Sequence, residues 1–213
     1  MEPTKIAVLG STKGTDLPAI VESIKNGELK GLADITLVIS NNQNAGILSK
    51  AKDYGIENYF INPKDEKGNM IPKFEYNVIL DELLENKKIE LLVNIGWMRL
   101  YSGWFVDKYY DKNMNIHPSL LPSFPGMDLD VHQAVLDYGC KVTGCTLFFI
   151  DKGKDSGPII LQKAVPVLEN DTEYTLKERV QKAEQEVLVK GIKLFAENKL
   201  YIDGRKVHIL DGV

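Results

Sequence analysis

Residues 5–17, KIAVLGSTKGTDL, run from an apolar strand pattern through a glycine-bearing turn into the start of a helix. KIAVL (5–9) reads as a short strand, and apolar positions at helical spacing follow near residues 17–26. The same order then repeats: a strand at 34–40 (DITLVIS), a helix near 45–54, a strand at 58–62 (NYFIN), a helix near 74–87 and a strand at 89–96 (IELLVNIG). Strands alternating with helices predict an α/β fold, a Rossmann-like, open, mostly parallel twisted sheet. Later the rhythm changes. VTGCTLFFI (142–150) and PIILQKAVPV (158–167) are separated only by a short Lys/Gly/Asp loop, which predicts an antiparallel strand pair appended to the sheet. A long C-terminal helix is expected from about Thr175, which has capping-box spacing to Glu178, to about Asn198. No repeat or Pro/Gly/Ser linker interrupts the chain, so residues 1–213 read as one domain with halves 1–100 and 101–213.

The composition narrows the partners. Of 213 residues, 44% are hydrophobic and 26% charged, as in ordinary folded proteins, and a net charge of −4 with scattered Lys and Arg offers no footprint for a nucleic acid. Cys140 and Cys145 lack partners at zinc-finger spacing and read as reduced structural thiols. Charges begin at Glu2 and Lys5, and no apolar run approaches the roughly 20 residues of a spanning helix, so neither leader nor membrane anchor is expected and the cytoplasm is the expected compartment.

Open α/β sheets bind ligands beyond the carboxyl ends of their strands, so each strand end is a candidate. The turn at 9–17 matches neither dinucleotide nor NTP fingerprint, but Gly14, Thr15 and the helix-start N–H groups suit one phosphate monoester; a plain βα turn capped by Thr or Asp is the alternative. In NIGWMRLYS (94–102) an apolar strand stops at Gly96, Trp97, Met98 and Arg99, where a flat heterocycle could lie, or where Trp and Met simply fill the core. In NMNIHPSLLP (113–122), Asn115 and His117 are two apart and share a face if extended, so an amide N–H and an imidazolium N–H would make an oxyanion-stabilising pair. A structural hydrogen-bonding His is the alternative. Asp155, followed by Ser156-Gly157-Pro158, is a carboxylate held at a loop tip and could orient an imidazole, or could bond only its own turn. Gln181 and Glu184 share a helix face, which alone signals only solvation.

Taken in order, GWMRLYS (96–102), NIHPSLLP (115–122), DSGPIILQ (155–162) and ERVQKAEQ (178–185) resemble the phosphoribosylglycinamide formyltransferases, over about residues 5–198. The resemblance implies formyl transfer from 10-formyltetrahydrofolate, a co-substrate, to the amine of glycinamide ribonucleotide in purine biosynthesis, without a metal. It implies Asn115, His117 and Asp155 as the catalytic three. Gly14, Thr15, Asp16, Pro118, Gln181 and Glu184 would hold the ribonucleotide, and Trp97, Met98, Arg99, Leu100 and Tyr101, with Asp151, Lys152, Gly153 and Lys154, the folate. The half 1–100 would then bind the phosphate and ribonucleotide, and 101–213 would carry catalysis and folate binding. Small-molecule substrates, no nucleic acid, no membrane and a monomer or homodimer are the expected partners.

The chain departs from the family's usual pattern in three places. Asp16 stands where Asn is usual, MDLDVHQAV (127–135) replaces a His-rich segment one residue shorter, and Phe148 replaces a frequent His. Rival readings are a sugar-nucleotide N-formyltransferase, a formyltetrahydrofolate hydrolase, or a non-catalytic folate- or nucleotide-binding module. A methionyl-tRNA formyltransferase would need a further carboxy-terminal domain and a basic surface.

Overall fold

The computed structural model describes residues 2–126 and 130–210. Its contacts divide the chain into two compact units, Met1–Met114 and Asn115–Val213. The division falls inside a strand.

In the first unit β1 (Thr4–Leu9), α1 (Leu17–Asn26), β2 (Ala33–Ser40), α2 (Gly46–Asp53), β3 (Asn58–Phe60), α3 (Lys73–Asn86), β4 (Leu91–Asn94) and α4 (Gly103–Lys108) follow one another. The strands lie in the order β3-β2-β1-β4, all parallel. Parallel strands covered on both faces need apolar runs rather than alternation, and β4 is buried at all four positions. One face closes on Leu9, Leu37, Leu80 and Leu92, fully buried together with Tyr76 and Phe105. Burying each such side chain is worth roughly 1.5–3 kcal/mol. Each strand ends where its hydrogen bonds pass to a loop, and there the candidate residues sit.

β5 (Asn113–His117) carries the chain across the division, and α5 (Val131–Tyr138), β6 (Val142–Phe149), β7 (Ile159–Pro166), α6 (Glu173–Ala196), β8 (Leu200–Asp203) and β9 (Lys206–Ile209) complete the second unit. β6 and β7 form the expected antiparallel pair, with Thr146 opposite Gln162. β9 then joins β7 in parallel and β8 joins β9 antiparallel. That last hairpin is not legible as strand in the sequence, because only four residues lie on each side of its turn. The fold is therefore mixed α/β, mostly parallel, with antiparallel pairs and a long C-terminal helix, as the alternation predicts. Among the described residues no helix is long and apolar enough to cross a membrane.

The start of α6 differs from expectation. Thr172, not Thr175, is the cap: its hydroxyl accepts from the Thr175 N–H at 3.3 Å, and Thr175 Oγ1 accepts from the Thr172 N–H at 3.0 Å. A Thr therefore does the work that the spacing assigns to Glu178, and the helix begins earlier. Asp171 braces the same turn, taking both Arg179 nitrogens at 2.6 and 2.8 Å and the Leu168 N–H at 2.7 Å. The guanidinium holds this carboxyl well below the usual carboxylate range. From that anchor α6 lays Leu176, Val180, Val187, Leu188 and Ile192, a stripe at helical spacing, into the buried side of the unit. We expect Thr172→Ala to lose about 1 kcal/mol, lowering the melting temperature by about 2–4 °C, with circular dichroism at 25 °C unchanged.

Candidate active site

β5 places its side chains with period two, so Asn113, Asn115 and His117 share one side. Asn115 is half-buried, and its carboxamide makes no hydrogen bond to another described residue. His117 is buried, with Nε2 2.7 Å from the Phe124 carbonyl oxygen. A carbonyl only accepts, so Nε2 carries a proton in either charge state of the ring. The other nitrogen, Nδ1, lies 3.7 Å from Asp155 Oδ2, beyond direct hydrogen-bond length. At that separation a water hydrogen-bonded to both groups, or a small closing movement, would connect the imidazole to the carboxylate.

Asp155 owes its position to its backbone. It sits at φ +48°, a left-handed conformation that Asp tolerates, and Oδ2 accepts from the Gly126 N–H at 2.7 Å. Gly157, two residues on, passes so close to β6 that a Cβ there would lie 1.7 Å from the Phe149 carbonyl oxygen, so no other residue fits the turn without displacing it. Within the loop, Asp151 Oδ1 accepts from the Gly153 N–H at 3.0 Å and from the Ser156 hydroxyl at 2.7 Å. The exposed Lys152, Gly153 and Lys154 form its tip.

The chain between His117 and Gly126 is held by β6 and β7. Thr146 Oγ1 donates to the Ser119 carbonyl at 2.7 Å and accepts from the Leu121 N–H at 3.0 Å and from Gln162 Nε2 at 2.9 Å. One donor and two acceptor sites are thus all used. Gln162 Nε2 also reaches the Leu121 carbonyl at 3.0 Å. Phe124 closes the loop at φ +50°, a strained conformation for a bulky residue that holds its carbonyl against His117. Sequence reasoning missed Phe124, Gly126, Thr146 and Gln162, because the first two act through backbone groups. Only the turn-forming SFPG at 123–126 hints at them.

Other sequence-predicted residues of this unit lie on separate elements. Pro118 is half-buried directly after His117. Gln181 is half-buried on α6, and Glu184, one helical turn along, is buried. Phe148 is buried on β6, paired with Ile159. In the segment MDLDVHQAV, residues 127–129 lie outside the described residues; Asp130 caps α5 by accepting from the Gln133 N–H. His132 is buried in α5, and its Nδ1 has no hydrogen-bond partner among the described residues. Burial first, then the charge of Lys177, pushes its pKa down to about 4, with Asp130 pulling the other way.

In the first unit the turn after β1 is tied to the ends of β2 and β4 by three bonds. The Ser11 N–H donates to the Gly96 carbonyl at 3.0 Å, Ser11 Oγ donates to Asn41 Oδ1 at 2.6 Å, and the Met98 N–H donates to Ser11 Oγ at 2.8 Å. Gly14, at φ +60°, presses on Ile47, where a Cβ would meet that side chain at 2.4 Å. Thr15 is half-buried and Asp16 buried at the N-cap position of α1, without a side-chain capping bond. The α1 N-terminus with this turn has the N–H groups an anion needs.

The 97–101 stretch divides by side chain. Trp97 is buried and stacks on Tyr101, which stacks on Phe105, at centroid separations of 6.2 and 4.9 Å. Tyr101 donates to Asn94 Oδ1 at 2.6 Å, and burial raises its phenol pKa well above normal, keeping it a donor. Arg99 lies 4.1 Å over the Tyr76 ring and donates to the Ile71 carbonyl at 2.5 Å, so its guanidinium is engaged within its own unit. Met98 and Leu100 are the exposed pair. Among the described residues no group of three His, Cys, Asp or Glu side chains is placed to hold a metal ion.

An oxyanion-competent amide beside a tautomer-fixed imidazole and a carboxylate is the equipment of an acyl-transfer site. The chain belongs to the formyl transferase family, whose model matches residues 4–192. Among named relatives, the phosphoribosylglycinamide formyltransferase of Bacillus subtilis is 37% identical over 180 residues, 84% of this chain and 88% of its own length. The trifunctional purine biosynthetic protein adenosine-3 of Bos taurus is 42% identical over 192 residues, 90% of this chain; the match spans only 18% of that longer relative. Glycinamide ribonucleotide transformylase 1 from Symbiobacterium toebii superposes with a TM-score of 0.87 at 37% identity, covering 99% of this chain and 95% of that one.

Two measurements test this geometry. Thr146→Val keeps the shape and removes all three hydroxyl bonds, so we expect a loss of roughly 1–3 kcal/mol in denaturant unfolding. For His132 the unfolded imidazole protonates near pH ~6.5 and the buried one only near about 4. Between these values the unfolded chain binds more protons, so stability present above that window is lost as pH falls through it. The melting temperature should decline over that range, and His132→Leu should flatten the decline; an unchanged slope would show that His132 does not contribute.

Proposed function

We propose that this protein transfers the formyl group of 10-formyltetrahydrofolate to the amine of glycinamide ribonucleotide, giving formylglycinamide ribonucleotide and tetrahydrofolate in purine biosynthesis, in the cytoplasm. The observation that carries the reading is the half-buried Asn115 amide on the strand that presents His117 Nδ1 to Asp155. The names of the Bacillus subtilis and Symbiobacterium toebii relatives support the acceptor.

In this reading the amine attacks the formyl carbon, a C–N bond forms, and the carbonyl oxygen becomes an oxyanion that takes the Asn115 N–H. The bond from the formyl carbon to the folate nitrogen then breaks. One proton leaves the attacking amine and one reaches the departing nitrogen. Because Nε2 is committed to Phe124, Nδ1 is the imidazole atom open to that transfer, and protonating it places a cation beside Asp155 and the developing oxyanion. Gly14, Thr15 and Asp16 hold the phosphate and ribose end, Pro118, Gln181 and Glu184 the rest of the ribonucleotide. The folate takes the backbone and exposed side chains of 97–101 and the 151–154 loop.

The test is a spectrophotometric assay with a 10-formyl-folate and either glycinamide ribonucleotide, an amino-sugar nucleotide or no acceptor. Product with glycinamide ribonucleotide alone is expected; turnover without acceptor would favour a hydrolase instead. Losing one oxyanion donor commonly costs ~3 kcal/mol, so Asn115→Ala should lower kcat ~10²- to 10³-fold with the fold intact. Near-full turnover by Asn115→Ala or Asp155→Asn would overturn the assignment.

A further inference from the structure

β8 is the outermost strand of its sheet, and its unpaired edge has a self-complementary sequence. β8 pairs with β9 so that Leu200 faces Ile209, Tyr201 faces His208, Ile202 faces Val207 and Asp203 faces Lys206. The Leu210 N–H donates to the Lys199 carbonyl at 2.8 Å, which makes Lys199 and Leu210 a hydrogen-bonded pair. Antiparallel pairs alternate, so Tyr201 and Asp203 also turn their backbone groups toward β9. Leu200 and Ile202 therefore turn theirs outward, where β8 has no neighbouring strand among the described residues.

We propose that this edge pairs with the same edge of a second copy of the chain, antiparallel about a two-fold axis at Tyr201. In that register Leu200 of each copy lies opposite Ile202 of the other, and the two outward N–H groups and two outward carbonyls of each strand form four hydrogen bonds. Lys199 of each copy then faces Asp203 of the other. An isologous contact requires such i-to-j and j-to-i matching. Any other register sets Lys199 or Asp203 against an apolar residue or leaves it past the strand end. Lys199 already lies 2.8 Å from Glu197 in its own chain, so in the dimer one ammonium is shared by two carboxylates. Tyr201, 57% exposed, meets its copy on the open face of the sheet and extends the ring contact it makes with His208 at 6.2 Å. Edge strands are ordinarily blunted by proline, a bulge or repelling charges, and LYID has no proline, no register shift in its pairing and a charge pattern that attracts its own copy.

Sedimentation velocity on the full chain across a concentration series tests the proposal. The unmodified chain should show a concentration-dependent monomer–dimer equilibrium. Asp203→Lys places like charges opposite one another twice, and should raise the dissociation constant about tenfold or more. Adding Lys199→Asp to it restores opposite charges and should restore association. Ile202→Pro removes an outward N–H without touching the β8–β9 bonds, and should give a folded monomer. Tyr201→Cys should form an intermolecular disulfide under mild oxidation, since facing residues of a non-hydrogen-bonded pair are about 4.5 Å apart at Cα; Ile209→Cys, off the axis, should not. A chain that stays monomeric at every concentration, or a dimer indifferent to the charge exchange, would overturn the proposal. If Ile202→Pro unfolds, the charge exchange and the cysteine pair still decide it.

Discussion

A carbonyl oxygen can only accept a hydrogen bond, and the one that Phe124 turns toward His117 constrains everything else at the candidate centre. It fixes the proton on Nε2, directs the ring's remaining chemistry through Nδ1, and so makes the position of Asp155 meaningful. That carbonyl stays in place because Phe124 adopts a left-handed conformation, and the loop that imposes it is gripped by Thr146 and Gln162 from two neighbouring strands. Asp155 is fixed from the same loop, through Gly126. The imidazole and the carboxylate are therefore referenced to one stretch of backbone, and their separation does not depend on long side chains finding each other.

The first unit meets a different need, which is to pair the polar groups released where three parallel strands end. Ser11 does much of this, with its hydroxyl donating to Asn41 and accepting from Met98 while its N–H goes to Gly96. Asn94, fully buried, does the same for β4, donating to Asn113 Oδ1 and to the Met114 carbonyl and accepting from Tyr101. With the polar termini consumed internally, what remains outward is a turn rich in N–H groups and the exposed Met98 and Leu100. Those are the chemical features suited to a phosphate and to an apolar heterocycle.

How far the sequence could be read follows from what its residues do. Long apolar strands and amphipathic helices announce themselves by period, so α1 coincides with the expected 17–26 and β6 and β7 pair as their short connection implies. α4, six residues long, and the four-residue strands β8 and β9 carry too few periods to register. The start of α6 is ambiguous in the sequence because Thr172 and Thr175 are both competent caps and only their geometry tells which one accepts. Asn115, His117 and Asp155 were accessible because their side chains carry the chemistry. Phe124 and Gly126 were not, since a backbone carbonyl and a backbone N–H leave no mark on residue identity. At Trp97 and Arg99 the sequence allowed either a ligand contact or packing, and only the structure shows their side chains against Tyr101 and Tyr76.

The aromatic column of the first unit also determines what an optical experiment on this protein sees. The chain has two tryptophans, Trp97 and Trp104, and both stand in that column, one stacked on Tyr101 and the other edge-on to Phe74 and Phe105. Intrinsic tryptophan emission therefore originates within residues Met1–Met114. Asn115, His117 and Asp155 lie in the unit that contains no tryptophan, so a local optical signal from them needs a reporter installed there.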